Sequence, residues 1–167
     1  MTAIADPRDV VAAVTDPELP QLTLDDHGVL GDVVVAEGVV VVELMPTYTG
    51  CPAMDVMRDD VVAALGRAGY DDVDVRVQLT PAWTSDRISA AGRRKLADAG
   101  IAPPGPAPAR VPGTPIPITM RPVGPPLTCP RCGSTNTVET SRFGATACKS
   151  LHRCASCAEP FEHFKAL

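Results

Sequence analysis

The chain has 167 residues and a formal net charge of −5. That length holds one ordinary domain of about 100 residues plus a small module. The acidic balance excludes a protein that grips nucleic acid through bulk positive charge. No apolar run reaches the length of a membrane span. Residues 1–9 lack the basic and apolar regions of a secretory signal. The expectation is a cytoplasmic protein without a membrane partner. In a reducing compartment its six cysteines read as thiols or metal ligands, not disulfides.

Asp6 followed by Pro7 marks a helix start, an N-cap with proline at N1. Val10, Val11 and Val14 give that helix an apolar face, and Asp16-Pro17-Glu18-Leu19-Pro20 ends it. Residues 30–36 and 39–45 are valine-rich runs about Glu37-Gly38, which predicts a β-hairpin. Their near-continuous apolarity predicts that both faces are at least partly covered. Met54, Met57, Val61, Ala64 and Leu65 recur at helical spacing. Val73, Val75, Val77 and Leu79 alternate with polar residues, a strand with one wet face. A last helix runs from Ser85 or Ser89 to Ala99, with Gly100 as its stop. The order α, β, β, α, β, α predicts an α+β domain over residues 1–101, a small three-stranded sheet with covering helices.

Residues 102–126 carry ten of the chain's eighteen prolines. Proline fixes φ and lacks a backbone donor, so this stretch predicts an extended connector. It either runs free or drapes along the first domain through Ile116, Ile118 and Met120.

Residues 127–167 form a third segment with a strong metal signal. Cys129-Pro130-Arg131-Cys132 and Cys154-Ala155-Ser156-Cys157 are two CxxC pairs separated by 21 residues. Each pair can put two sulfurs on one ion, and the stretch between can fold as a hairpin that brings the pairs together. The sizeable apolar residues here are few: Val138, Phe143, Leu151, Phe161 and Phe164. So small a core usually needs a metal or disulfides to hold together, and structural zinc supplies roughly 10–16 kcal/mol. The expectation is a zinc-ribbon-like module with one zinc ion on four cysteines. Rubredoxin-like iron, or an iron–sulfur cluster that recruits Cys148, remains open. Cys148 lies outside both pairs and is either a buried free thiol or an additional ligand.

A second candidate site lies in Pro46-Thr47-Tyr48-Thr49-Gly50-Cys51-Pro52. With Pro52 at N1, Cys51 becomes the N-cap, where backbone N–H groups and the positive helix end favour thiolate. The alternative is a small apolar residue filling space at a helix start. Asp16 and Glu18 are either ligands or the anchors of an Asx-type turn. Trp83 reads as a core or domain-contact residue, and His27, His152 and His163 as isolated loop or surface histidines.

Three segments together carry a resemblance: Asp16-Pro17-Glu18-Leu19-Pro20, Thr47-Tyr48-Thr49-Gly50-Cys51-Pro52-Ala53 and Pro81-Ala82-Trp83-Thr84. They resemble the domain of iron–sulfur assembly factors such as SufT. Cys129-Pro130-Arg131-Cys132-Gly133-Ser134, Phe143-Gly144-Ala145-Thr146-Ala147-Cys148-Lys149 and Glu159-Pro160-Phe161-Glu162-His163-Phe164-Lys165 narrow it to the PaaD family. These are accessory subunits of phenylacetyl-CoA epoxidase, the multicomponent oxygenase of phenylacetate breakdown. The resemblance implies a maturation role toward an iron–sulfur (or iron) centre in a partner such as the reductase. It also implies Cys51 as transient ligand with Asp16 and Glu18 as the acidic turn beside it.

Two rival readings come from other function classes. A zinc-ribbon adaptor for nucleic acid or protein is weakened, on the nucleic-acid side, by charge: residues 127–167 hold five Lys/Arg against three Glu, a surplus of two. A CxxC thiol oxidoreductase is weakened because redox pairs stand alone, whereas two pairs placed to meet suggest coordination. No constellation for a standalone oxygenase is present: a di-iron bundle wants several Glu and His on four helices, and this chain has three His. The expectation is an accessory protein, not the catalyst.

Overall fold

Asp6 accepts the Arg8 N–H on its side chain at 2.8 Å and starts α1 (Pro7–Ala12). Thr23 does the same for Asp26 at 3.1 Å and starts a one-turn helix, α2 (Leu24–His27). This turn is too short for periodicity to reveal. The structure, a computed structural model, describes residues 5–108 and 127–167. The rest of the Pro-rich stretch, with Ile116, Ile118 and Met120, lies outside the described residues.

Strands β1 (Leu30–Ala36) and β2 (Val39–Leu44) form the expected hairpin. Glu37 at φ 52° and Gly38 at φ 87° make its two-residue turn, both central residues left-handed as the strand twist requires. Helix α3 (Ala53–Ala68) then crosses over, and β3 (Val73–Val77) returns parallel to β2. The sheet order is β1-β2-β3. Val40, Val42 and Leu44 on β2 are buried with Val11 of α1 and Met57, Val61 and Leu65 of α3. Coverage on both faces does not hold along the whole hairpin, because Val34 and Val35 at its far end are exposed.

The last helix starts at Ser89, the second of its two expected starts. Residues Ser85–Arg87 form a 3-10 turn, and Ser89 caps α4 (Ala90–Asp98) by accepting the Gly92 N–H at 2.8 Å. Gly92 lets α4 approach α2 closely, since a Cβ there would lie 2.6 Å from the Asp26 carbonyl oxygen.

Strand β4 (Ile101–Ala102) follows at once and pairs in parallel with β7 (Pro160–Phe164). With β5 (Thr137–Ser141) and β6 (Lys149–Cys154) it makes a second sheet of order β4-β7-β6-β5. The division drawn at residues 101/102 therefore falls inside a strand of this second sheet. The two parts also share a core. Phe164 from the second sheet and Cys148, just before β6, belong to the same buried cluster as Val11, Leu44 and Leu65. Phe164 is fully buried, its ring 5.6 Å from that of His27 and 5.9 Å from that of Trp83. The Ser85 N–H donates to the Leu167 carbonyl at 3.1 Å. Among the described residues no helix is long and apolar enough to cross a membrane.

Candidate functional site

The two CxxC pairs meet. Cys129 and Cys132 precede β5, Cys154 ends β6, and Cys157 lies in the turn before β7, so the β5–β6–β7 meander brings the pairs together. The four sulfurs lie within 4.8 Å of one another, and two of the separations, Cys129–Cys157 and Cys132–Cys154, are 3.8 and 3.6 Å. A tetrahedral ion with Zn–S bonds near 2.3 Å needs sulfurs about 3.8 Å apart, so the donor set fits one such ion. The Cys157 and Ser156 N–H groups bring the Cys154 thiol down to about 6. At Cys132 the Ser134 N–H also acts to lower the pKa, but the Cys154 and Cys157 sulfurs outweigh it and push it up to about 12. Without a cation the cluster cannot carry four negative charges, and four thiolates form only around one. Cys148 takes no part in this group. It precedes the six-residue strand β6, and at about 3.4 Å per residue it sits roughly 20 Å along the chain from Cys154.

Cys148 lines a different cavity instead. Its walls include Cys51, Asp16, Glu18, His27 and Cys148, and its volume is about 10 Å³. Helix α3 begins one residue later than expected: Pro52 is the cap, and Cys51 precedes it. Gly50 at φ 82° makes the turn that presents Cys51. The Ala53 N–H does favour the thiolate, but the thiol's pKa is raised, not lowered. Burial dominates, the Ala53 N–H opposes it, and the Glu18 carboxylate adds to it. Burial, and then Glu18, push the Cys148 thiol up as well, against the lowering effect of the Thr146 hydroxyl 3.0 Å away. Both sulfurs are therefore protonated thiols when nothing positive lies between them.

Asp16 is buried, and both carboxylate oxygens are used. Its Oδ1 accepts the N–H groups of Glu18 at 2.7 Å and Leu19 at 3.0 Å, and its Oδ2 lies 2.7 Å from His27 Nδ1. Burial raises its pKa, but the hydrogen bond and charge of His27 and the two N–H groups prevail and hold it low. Asp16 thus makes the Asx-type turn and also walls the cavity. Glu18 is only part-buried and is pushed up by burial and by Asp16.

Three comparisons with known proteins bear on this arrangement. The model of an iron–sulfur cluster assembly protein matches residues 8–79, and that of the PaaD zinc beta ribbon domain matches residues 116–165. A protein of Escherichia coli (strain K12), provisionally named as one of the subunits of 1,2-phenylacetyl-CoA epoxidase, is 38% identical over 158 residues, 95% of this chain and 90% of its own length. The chain belongs to the PaaD family. Two solved structures also resemble part of it. A domain of unknown function from Bacillus anthracis covers 54% of this chain and 87% of its own, at 27% identity and TM-score 0.49. A conserved hypothetical protein from Thermotoga maritima covers 55% and 90%, at 27% identity and TM-score 0.46. Both likenesses are too weak to carry an argument.

In this PaaD family member the sequence patterns missed His27. It was expected at the surface or in a loop, yet it is buried, paired with Asp16 and packed edge-on against Trp83 and Phe164. Its one local signal was its place at the end of a Thr-capped turn before Gly28, and that says nothing about burial. His152 and His163 are not isolated either. Ser150 Oγ lies 2.9 Å from His152 Nε2 and 3.3 Å from His163 Nδ1, a polar cluster inside the ribbon sheet.

Proposed function

We propose that this chain is an accessory, maturation-type subunit of a phenylacetyl-CoA epoxidase. In this reading it handles iron or an iron–sulfur cluster through Cys51 on behalf of a partner subunit, first of all the iron–sulfur reductase. It does not oxygenate the substrate itself. The ribbon holds one zinc ion on Cys129, Cys132, Cys154 and Cys157, and this ion shapes a module that docks on the partner. One observation carries the proposal: a half-buried thiol at the start of α3 shares a cavity with Asp16 and Glu18 in a chain of the PaaD family. Among the described residues the Glu18 carboxylate makes no ion pair and can meet a cation that Cys51 accepts, whereas Asp16 is committed to His27 and its own turn. The convergence of the four ribbon sulfurs favours coordination over thiol exchange at those pairs.

The test is an epoxidase reconstituted or expressed with Cys51→Ser. Epoxidase activity is expected to fall away while the variant keeps its fold and one zinc per chain. Full activity with a folded, zinc-loaded variant would refute the proposal. The purified chain alone, given phenylacetyl-CoA, a reductant and oxygen, is expected to form no epoxide.

A further inference from the structure

We propose that Cys51, Cys148 and His27 form a single-ion site built across both modules, taking one divalent transition metal such as Fe²⁺ on two thiolates and one imidazole. This rests on the reading that Cys51 handles iron. It deepens that reading by naming a lone ion as the cargo and by adding two donors.

Four observations carry it. The two thiols lie far apart in the chain, one before α3 and one before β6, yet they line the same cavity. His27 lines that cavity too, with its side chain only 4% exposed. Its Nδ1 is held by Asp16 at 2.7 Å, and its buried Nε2 has no hydrogen-bond partner. A carboxylate on one ring nitrogen with the other left free is how proteins orient a metal-binding imidazole, and an orphaned buried nitrogen is otherwise a cost. The cavity's volume, about 10 Å³, is of the order of one water. Asp16 and Glu18 wall the same space, while the neighbouring Lys149 ammonium is committed to Glu162 at 2.9 Å, so the site favours a cation.

Thiolate and imidazole donors suit iron(II), cobalt(II) and zinc(II) rather than magnesium or calcium. Only the four ribbon sulfurs, among the described residues, already lie close enough to clasp an ion. The three donors here therefore draw inward on binding. Each of the two thiols gives its proton to solvent as its metal–sulfur bond forms, so one M²⁺ enters and two protons leave.

The test uses the full-length, zinc-loaded chain titrated anaerobically with Co²⁺ alone, with zinc content checked before and after. One further equivalent of Co²⁺ is expected, with a near-ultraviolet sulfur-to-cobalt band and zinc still at one per chain. Cys148→Ser or Cys148→Ala is expected to halve that band. His27→Leu, which keeps the site filled, is expected to weaken Co²⁺ binding at least 10-fold, in line with the 10–100-fold losses that even outer-shell changes cause. Melting curves of the two Cys148 variants and of His27→Leu check that all three fold. If no further Co²⁺ binds, or if it binds equally well to the folded Cys148 and His27 variants, the inference is overturned. The two failures separate. A reconstituted cluster that depends on Cys51 would leave the carrier role standing without the lone-ion site. Neither ion nor cluster at Cys51 would remove both.

Discussion

Phe164→Ala tests whether the ribbon and the first domain are one cooperative body. Phe164 is fully buried, and its ring meets those of His27 and Trp83 at 5.6 and 5.9 Å. Truncating such a side chain costs about 3–5 kcal/mol in transfer and cavity terms, against a total stability of roughly 5–15 kcal/mol. For a chain of this size each kcal/mol lowers Tm by about 2–4 °C, so the expected drop is about 6–20 °C. Trp83 is the chain's single tryptophan and adjoins the lost ring, so its fluorescence reports the event directly. Native emission should shift to the red and the thermal transition should move down as one step. Phe161→Ala is the control. Phe161 lies in the ribbon's own small cluster with Ala102, Cys129 and Cys154, so that variant should weaken the ribbon and leave native Trp83 emission in place. A Tm loss under about 2 °C for Phe164→Ala, with emission unmoved, would refute the shared core.

Metal chelation follows the same logic. Stripping the four-cysteine site should unfold the ribbon and also red-shift Trp83, because Phe164 and Cys148 leave the common core; an unchanged emission maximum would contradict this. Acid should destabilise the protein between about pH 6.5 and 4. Burial, with His152 and Lys165 nearby, pushes His163 down to about 4, so the unfolded chain binds a proton in that window while the folded chain resists, and stability falls as pH falls. Urea midpoints at pH 7.5 and 5.0 should differ less in His163→Phe than in the parent; equal differences would rule His163 out as the cause. Two glycines in helices should respond with opposite signs. Gly66→Ala on α3 meets nothing within 4 Å and should stabilise by about 0.5–1 kcal/mol. Gly92→Ala on α4 would press on the Asp26 backbone and should cost about 1–3 kcal/mol despite its better helix propensity. Chemical denaturation of the pair checks both.

What the sequence made legible was local or evenly spaced. The Asp6-Pro7 start, the Glu37-Gly38 turn and the period of Met54, Met57, Val61 and Leu65 each depend on neighbours within one element. The two CxxC pairs did so almost as strongly, because a tetrahedral ion fixes how they must meet. What stayed hidden depended on residues far apart in the chain. Ile101 looks like the end of the first domain and Ala102 like the start of a proline stretch until β7 pairs with both. Cys148 is an odd thiol by spacing alone, and only the hydrogen bond from the Lys165 N–H to its carbonyl and the packing of Phe164 fix where it lies. His27 could not be told from any loop histidine until Asp16, eleven residues earlier, was seen 2.7 Å from its ring.

The first domain places Cys51, Asp16, Glu18 and His27, and the ribbon places Cys148 among them. A metal bound in the ribbon holds the hairpin that positions Cys148, while Phe164, on the adjoining strand, packs on the ring of His27. Loading of the ribbon and geometry at Cys51 are therefore linked through Cys148 and Phe164. Phe164→Ala should therefore weaken Co²⁺ binding at the Cys51 cavity even with the ribbon zinc retained.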